Sequence, residues 1–471
     1  MSKDFLPRDL SPRELSSIDL SPSIAHRDLA AWLSHIEQLH PKSIAMGLER
    51  VKCVLERLSL RPNFKIITVA GTNGKGSTCA MLAQVYKQAG YQVGCYTSPH
   101  LLRYNERVRI NGVEASDEAL CSAFAAVEHA RLGLNAEDDE IALTYFEVGT
   151  LAAVWHFAQS AIDIAVLEIG LGGRLDAVNA FEPDCAVVTS IDIDHQEFLG
   201  DNRESIGAEK AGVYRPSLPA ICGDVNPPKS LIAYAQKVGA DFMCIQHEFG
   251  YAALASGWHY LANGKIVYTL PLPALEDSYQ LMNASCVVAA VESLQSALPV
   301  GADAIATALT EVKLAGRFQT VSQSPWLILD VAHNPHAAEA LAKNLKAHRV
   351  QSSNVTAAKA GNTIAVFAML ADKDIKGVVS AVKNEIDFWY VADIDHIRSA
   401  PVTDLVKVIL DVVPQAKIKM FNTAADACKQ ACIDTEVCID RSENDKIVVF
   451  GSFFTVSSVM QYLNQYADIH F

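Results

Sequence analysis

Four short segments of this sequence carry the residue types that handle phosphate and metal ions. The first is Ile67-Thr-Val-Ala-Gly71-Thr-Asn-Gly-Lys75-Gly-Ser77-Thr78, an apolar run that enters a glycine-rich turn and leaves it as a helical pattern. The backbone N–H groups of such a turn, with the N-terminus of the following helix, form a site for a polyphosphate. Lys75 can reach the β- and γ-phosphates, and the Ser77 hydroxyl can take a Mg2+ position or donate to phosphate. The turn departs from the strict G-x-x-x-x-G-K-[ST] pattern, because Gly76 separates Lys75 from Ser77 and the leading glycine lies closer. A glycine turn without a ligand would leave unexplained a lysine flanked by glycines at a strand–helix junction.

The other three segments offer metal-binding atoms. In Val166-Leu-Glu168-Ile-Gly170-Leu-Gly-Gly-Arg174-Leu-Asp176, a carboxylate ends a strongly apolar strand just before a glycine turn. A carboxylate in a core strand is costly unless it is paired or bound to metal. At a strand end facing the phosphate loop, Glu168 would be within reach of Mg2+; an ion pair with Arg174 or Lys75 is the plainer alternative. In Ser190-Ile-Asp192-Ile-Asp194-His195, two aspartates precede a histidine at the end of the next strand, an arrangement suited to metal ligation or phosphate contact. In Tyr96-Thr97-Ser98-Pro99-His100, Ser98 reads as a loop cap or a metal ligand. All four segments end expected parallel strands at their carboxyl side, where open α/β sheets bind ligands.

The elements that must position these residues form two alternating series. Strands are expected at Lys65–Ala70, Tyr91–Tyr96, Asp163–Ile169 and Cys185–Ile191, with a helix over Thr78–Ala89 stopped by Gly90. A hairpin is expected around Asn263-Gly264, between Trp258–Leu261 and Ile266–Leu270. A second series begins near residue 317, with strands at Trp326–Val331, Thr363–Met369, Phe388–Ala392, Lys417–Phe421 and Lys446–Phe450 and a helix over Thr403–Val413. This is the pattern of βαβ units and a parallel sheet. Gln351–Gly361 reads as a polar surface loop. The boundaries so drawn are a leader at 1–27, a first α/β domain at 28–296, a linker region at 297–316 and a second α/β domain at 317–471, with ligands expected in the cleft between the domains.

The chain of 471 residues is half hydrophobic, with 39 basic against 54 acidic residues and a net charge of −15. Such a surface repels nucleic acid and anionic membrane, so an anionic ligand needs a local positive device. The polar start lacks a secretory pattern, and no 18-residue apolar run occurs. The 11 cysteines, with Cys428 and Cys432 the nearest pair, read as reduced thiols of a cytosolic protein.

Taken in order, these segments resemble the folylpolyglutamate synthase branch of the Mur ligase superfamily. The likeness rests on Gly71–Ser77, Tyr96–Leu101, Glu168–Asp176, Asp194-His195, Glu209-Lys210-Ala-Gly212, Leu314-Ala-Gly-Arg317-Phe-Gln319, Asp330-Val-Ala-His-Asn-Pro335, Met369-Leu-Ala-Asp-Lys373-Asp374 and Gly451-Ser452. His40-Pro-Lys-Ser and Gly47-Leu-Glu-Arg50 belong with them. The likeness runs from about residue 28 to the C-terminus. It implies an N-terminal P-loop ATPase domain of Mur-ligase type and a C-terminal Rossmann-like α/β domain. It further implies that Thr72, Asn73, Gly74, Lys75, Gly76 and Ser77 bind ATP phosphates, with Asn283, Arg317, Asp330 and His333 as further nucleotide contacts. Ser98, Glu168 and His195 would hold Mg2+; Lys210, by itself an ordinary helix lysine, would support a second Mg2+ as its carbamate; K+ would be a further cofactor. Thr144, Arg174 and Asp176 match the pterin-substrate region.

The implied chemistry is ATP-dependent ligation, with Lys75, Lys210 and His195 as its catalytic residues, of L-glutamate to dihydropteroate and to tetrahydrofolate through an acyl phosphate. It would be carried out by a cytoplasmic monomer. The amine needs a base that the sequence does not identify, His333 being one candidate. A monofunctional folylpolyglutamate synthase, another Mur-type amino-acid ligase and a nucleotide-binding protein that merely keeps the fold remain the alternatives.

Overall fold

The computed structural model describes residues 27–133, 139–275, 279–323, 325–353, 361–437 and 445–466. The leader 1–26 and most of the segment expected as a loop at 351–361 lie outside the described residues. Of that loop, residues 351–353 instead finish the helix Pro335–Ser353. The chain forms two compact units, the first from residues 27–45, 49–60 and 116–156, the second from 46–48, 61–115 and 157–466.

The first unit is helical. Leu29–Gln38 starts on Asp28, whose carboxylate accepts from Ala31 N–H at 2.8 Å. Asp117–Leu132 starts on Ser116 in the same way. Inside it, Arg131 and His35 both bond the buried Glu128, at 2.6 and 2.9 Å.

The second unit holds three sheets. The largest comprises β1 (Lys65–Ala70), β2 (Val93–Tyr96), β3 (Val108–Ile110), β4 (Val113–Glu114), β5 (Ile164–Glu168), β6 (Cys185–Val188), β7 (Pro219–Cys222) and β8 (Asp241–Cys244). Its order is β4-β3-β2-β5-β1-β6-β7-β8, parallel from β2 through β8 and antiparallel at β3 and β4. β1 lies between β5 and β6, so the segments after these strands emerge side by side. A small antiparallel sheet, β9 (Phe249–Leu254), β10 (Gly257–Ala262) and β11 (Lys265–Leu270), contains the expected hairpin. Asn263 and Gly264 both have positive φ, 49° and 73°, as a two-residue turn of this hand requires.

The third sheet comprises β12 (Gln319–Gln323), β13 (Trp326–Leu329), β14 (Thr363–Phe367), β15 (Phe388–Ala392), β16 (Lys417–Phe421) and β17 (Lys446–Phe450). Its order is β12-β13-β17-β14-β15-β16, parallel except for β12. Both faces are covered: Ile447 and Val449 enter one core, Val448 and Phe450 the other. That is why the strand reads as an unbroken apolar run.

The expected helix over Thr78–Ala89 is Lys75–Gln88, three residues earlier at its start. It begins inside the glycine turn because Gly74, at φ +88°, supplies the left-handed residue from which the helix departs. Among the described residues no helix is long and apolar enough to cross a membrane. The described cysteines are free, and all but Cys53 and Cys121 are buried.

Candidate active site

The phosphate loop leaves the carboxyl end of β1 and is pinned to the segment after β6. Thr72 N–H donates to the Ser190 carbonyl at 2.6 Å, and the Thr72 hydroxyl donates to the Asp192 carbonyl while accepting from its N–H, both at 3.0 Å. Thr189 Oγ1 donates to the Asn73 carbonyl at 2.6 Å. The helix Lys75–Gln88 has no side-chain cap, so its first N–H groups and the positive end of its dipole remain to be met by another group. The Lys75 ammonium lies over the loop, 3.2 Å from the carbonyls of Gly71 and Thr72.

Gly74 is fixed by space as well as by φ. A Cβ there would lie 2.5 Å from Asn283 Oδ1, on the helix Gln280–Ser293. Asn283 donates from Nδ2 to Gln280 Oε1 at 3.2 Å, and Gln280 donates to Ser77 Oγ at 3.4 Å. Asn283 Oδ1 itself is buried without a hydrogen-bond partner among the described residues. A buried amide oxygen in that state is costly, and it is aimed at the loop.

Glu168 is the last residue of β5 and is only 4% exposed. Its Oε2 accepts from Ser98 N–H at 3.2 Å. Burial pushes its carboxyl upward, against the lowering effects of Lys75, the Ser98 N–H, Arg317 and Arg107. Of the two plainer partners, Arg174 is engaged elsewhere, with Glu209 at 2.7 Å, whereas Lys75 does act on Glu168 through its charge. Arg317 sits over the Phe453 ring at 5.3 Å. Its Nη2 would lie 3.7 Å from a Cβ on Gly76, so it too faces the loop.

Past β6, Asp194 is faced by one lysine and two histidines. Lys373 is 2.7 Å away, His333 Nε2 3.7 Å and His195 Nε2 3.8 Å. Burial raises the Asp194 carboxyl, but His333, His195 and Lys373 beside it hold it well below the usual carboxylate range. Burial pushes the His195 imidazole down; Asp194 pulls it back, and Lys373, Lys75 and His333 lower it again, to about 4. It is therefore neutral near pH 7 and able to ligate a metal. Among the described residues no group of three or more His, Cys, Asp or Glu is gathered to hold a metal. A cation here would draw on a hydroxyl and on phosphate oxygens as well.

Lys210, on the helix Arg203–Ala211, is 4% exposed and donates to the Gly71 carbonyl at 2.8 Å. Burial, and then the charge of Lys75, push its ammonium down to about 7, against Asp194 and Asp176. The glycine motif after β5 and the Glu209–Gly212 motif exist for one another. A Cβ on Gly173 would lie 2.9 Å from the Glu209 carbonyl oxygen, and one on Gly212 would lie 2.6 Å from Arg174 Cα.

The other residues singled out in the sequence have these surroundings. Asp176 is buried and accepts from Leu171 N–H at 2.9 Å and Val178 N–H at 3.0 Å, which shapes the loop after β5. Burial pushes its carboxyl up to about 7 against those N–H groups. Asp330, after β13, accepts from Phe318 N–H at 2.9 Å and Ala332 N–H at 2.7 Å. His333 Nδ1 is 2.8 Å from the Val331 carbonyl oxygen. Thr144, in the first unit, starts the helix Tyr145–Gln159: Glu147 N–H donates to Thr144 Oγ1 at 3.3 Å and Thr144 N–H donates to Glu147 Oε2 at 2.7 Å. Arg50 bonds the same Glu147 at 2.8 Å. This is a capping box, legible as Thr-x-x-Glu but not read as one.

Sequence reasoning also passed over Asn334, His336 and Lys373. Asn334 and His336 bond the Asn73 side chain at 3.1 and 3.0 Å, and Lys373 holds Asp194. Asn334 and Lys373 stood in motifs of the resemblance without a role of their own; nothing local to Asn334 or His336 announces a contact 261 or 263 residues away.

The Mur ligase middle domain matches residues 69–243, and the Mur ligase glutamate ligase domain matches residues 316–453. The dihydrofolate synthase/folylpolyglutamate synthase of Escherichia coli K12 is 42% identical over 437 residues, covering 93% of this chain and 96% of that protein. Its Haemophilus influenzae counterpart is 37% identical over 446 residues, covering 91% and 96%. The solved structure of E. coli FolC in complex with DHPP and ADP matches with a TM-score of 0.85 at 42% identity, over 95% of this chain and all of that one. The bifunctional Yersinia pestis enzyme complexed with AMPPNP and Mn ion matches with a TM-score of 0.83 at 41% identity, over 94% of this chain and all of that one.

Proposed function

Because the chain belongs to the dihydrofolate synthase/folylpolyglutamate synthase family of Mur ligases, we propose that the site just described is where it ligates L-glutamate to a pteroate or folate carboxylate at the expense of ATP. The observation that carries this reading is the meeting of three features: an uncapped helix N-terminus under Lys75, a buried Glu168 at the neighbouring strand end, and Arg317 facing both.

A carboxylate is a poor acylating agent because oxide would have to leave. Transfer of the γ-phosphoryl group of ATP to a carboxylate oxygen gives an acyl phosphate and ADP. The neutral amine of glutamate then attacks the acyl carbon, and the tetrahedral intermediate expels phosphate as the amide forms. The residues of this chain contribute mainly by positioning and charge. The loop Thr72–Ser77 cradles the phosphates, Lys75 offsets charge on the group in transfer, and Asn283, Arg317 and Asp330 orient the nucleotide. Ser98, Glu168 and His195 offer a hydroxyl, a carboxylate short of compensating charge and a neutral imidazole, a donor set that fits Mg2+. When bound there, the ion supplies charge neutralisation at the phosphates. Arg174, Asp176 and Thr144 belong to the pterin side in this reading.

Lys210 supports a second Mg2+ as its carbamate. The reading is supported by an amine that is buried and lowered to about 7, so that its neutral, CO2-reactive form is well populated near neutral pH. K+ is a further cofactor, and the protein acts as a cytoplasmic monomer. The ATP- and pterin-binding part spans 28–296 and the ligase part 317–471, with 297–316 between them.

The test is ligation by purified protein with Mg2+, ATP and radiolabelled glutamate, offered dihydropteroate and tetrahydrofolate in separate reactions. Product from both establishes a bifunctional enzyme, and product from tetrahydrofolate alone a folylpolyglutamate synthase. Product from neither, despite ATP binding, overturns the reading in favour of another Mur-type substrate.

A further inference from the structure

Asn73 is bonded from two sides. Its main chain belongs to the first sheet: Asn73 N–H donates to Ser190 Oγ at 3.2 Å, and its carbonyl accepts from Thr189 Oγ1 at 2.6 Å and Ser190 Oγ at 3.1 Å. Its side chain belongs to the loop after β13. Asn73 Nδ2 donates to Asn334 Oδ1 at 3.1 Å, and Asn334 Nδ2 donates back to Asn73 Oδ1 at 3.1 Å. The second Nδ2 hydrogen of Asn73 is directed to His336 Nδ1 at 3.0 Å, which makes that nitrogen the acceptor. Asn334 is 3% exposed. Its Nδ2 also lies 3.4 Å from Asp194 Oδ2, beside the pair between Asp194 and Lys373. His336 is braced by the edge of Tyr279, ring centroids 5.0 Å apart.

A reciprocal amide pair is satisfied in one alignment of its two partners, and a shift of either strand end leaves buried donors and acceptors unpaired. An apolar contact between the same two loops would tolerate sliding. The pair therefore does more than hold the loops together; it ties the shape of the phosphate loop to the seating of residues 330–336.

We propose that Asn334, supported by His336, is a positioning residue for phosphoryl transfer. Acting through the Asn73 side chain, it makes the transfer-competent shape of the phosphate loop depend on the seating of the loop after β13. The proposal rests on the ligase reading above. Its role is distinct from helix capping, although Asn334 Oδ1 also accepts from Ala337 N–H at 2.9 Å at the start of the helix Pro335–Ser353.

The variant Asn334→Ser separates the two roles. Serine caps a helix well but is too short to reach Asn73. We expect its kcat for ligation to fall about thirtyfold, the effect of two lost buried hydrogen bonds. The thermal midpoint should fall by only a few degrees, and ADP affinity should stay near that of the wild type. Asn73→Ala should lose a similar factor, and the double variant should be no worse than the poorer single one. His336→Gln, which keeps an acceptor, should retain most of the turnover that His336→Leu loses. An unchanged kcat in Asn334→Ser, losses that multiply in the double variant, or a kcat that merely follows a falling thermal midpoint would each overturn the proposal. Failure of the wild-type chain to ligate overturns the ligase reading and this proposal together; ligation by the wild type with an unaffected Asn334→Ser overturns this proposal alone.

Discussion

Lys210→Met should stabilise the protein near neutral pH, by an amount that shrinks as pH rises. Lys210 is enclosed, and burial with the nearby charge of Lys75 lowers it from 10.5 to about 7. A lowered lysine binds its proton more weakly in the fold than in the unfolded chain. The cost is fully present below the folded value and disappears as pH rises towards the unfolded one. Such a lowering is worth about 5 kcal/mol at low pH, about 4 at pH 7 and about 1 near pH 9.5. Methionine fills a similar volume without that cost but gives up the hydrogen bond to the Gly71 carbonyl, worth about 1 kcal/mol.

The stability gap between variant and wild type should therefore narrow by about 3 kcal/mol from about pH 7 to about pH 9.5. Denaturant unfolding in chelator and CO2-free buffer reads it, because the thiols and tyrosines that titrate in this range are common to both proteins and cancel in the difference. Curves that run parallel across the window would refute neutralisation by burial. With bicarbonate and Mg2+ added, the wild type alone should gain stability, since methionine cannot form a carbamate.

Three further outcomes follow from the site. Lys75→Ala should lower ligation by about a thousandfold with the thermal midpoint little changed; near-normal turnover would remove the phosphate-loop assignment. Glu168→Gln removes a buried charge that Ser98 N–H only partly compensates, so the metal-free protein should be at least as stable as the wild type. The Mg2+ needed for half-maximal turnover should rise about tenfold or more, and an unchanged Mg2+ titration would take Glu168 out of the metal site. Gly212→Ala drives a methyl to 2.6 Å from Arg174 Cα and should cost about 1–3 kcal/mol by overpacking; an unshifted thermal midpoint would show that the two motifs do not depend on close approach.

The parts of the fold legible in the sequence were those announced by local physics. β15, β16 and β17 coincide with their expected ranges because each is a short run rich in residues that favour strands. Cys185–Ile191 was drawn too long: Thr189 N–H still reaches Ala70 of β1, but the Thr189 hydroxyl and the Ser190 carbonyl bond the phosphate loop, and Ile191 N–H bonds Asp224. The short antiparallel strands β3, β4 and β12 went unread, being two to five residues long and half exposed, with no continuous apolar run to mark them. Glu168, His195 and Lys75 were found because each ends or follows a strand beside glycines or aspartates. Lys210 carries no such sign, and only the likeness to a family singled it out. Its isolation is tertiary: Gly173 and Gly212 bring the helix and loop together, and that enclosure lowers the amine.

The acidic composition of the chain fixes one requirement that these contacts answer. A molecule of net charge −15 can hold a polyphosphate only where cations are concentrated and anions are neutralised. Around the loop, Lys75 and Lys210 come from the first sheet's side, while Arg317 and Lys373 come from residues flanking the third sheet. Lys373 is spent on Asp194, and Lys75 and Arg317 oppose the buried charge of Glu168. Neither sheet alone supplies that balance: without Arg317 and Lys373, the first would face ATP with Glu168 and Asp194 underneutralised. The order of events follows from the same charges. In the proposed site, phosphates entering the loop would compete with Glu168 for Lys75 and Arg317, so that nucleotide binding would leave Glu168 free for a divalent cation.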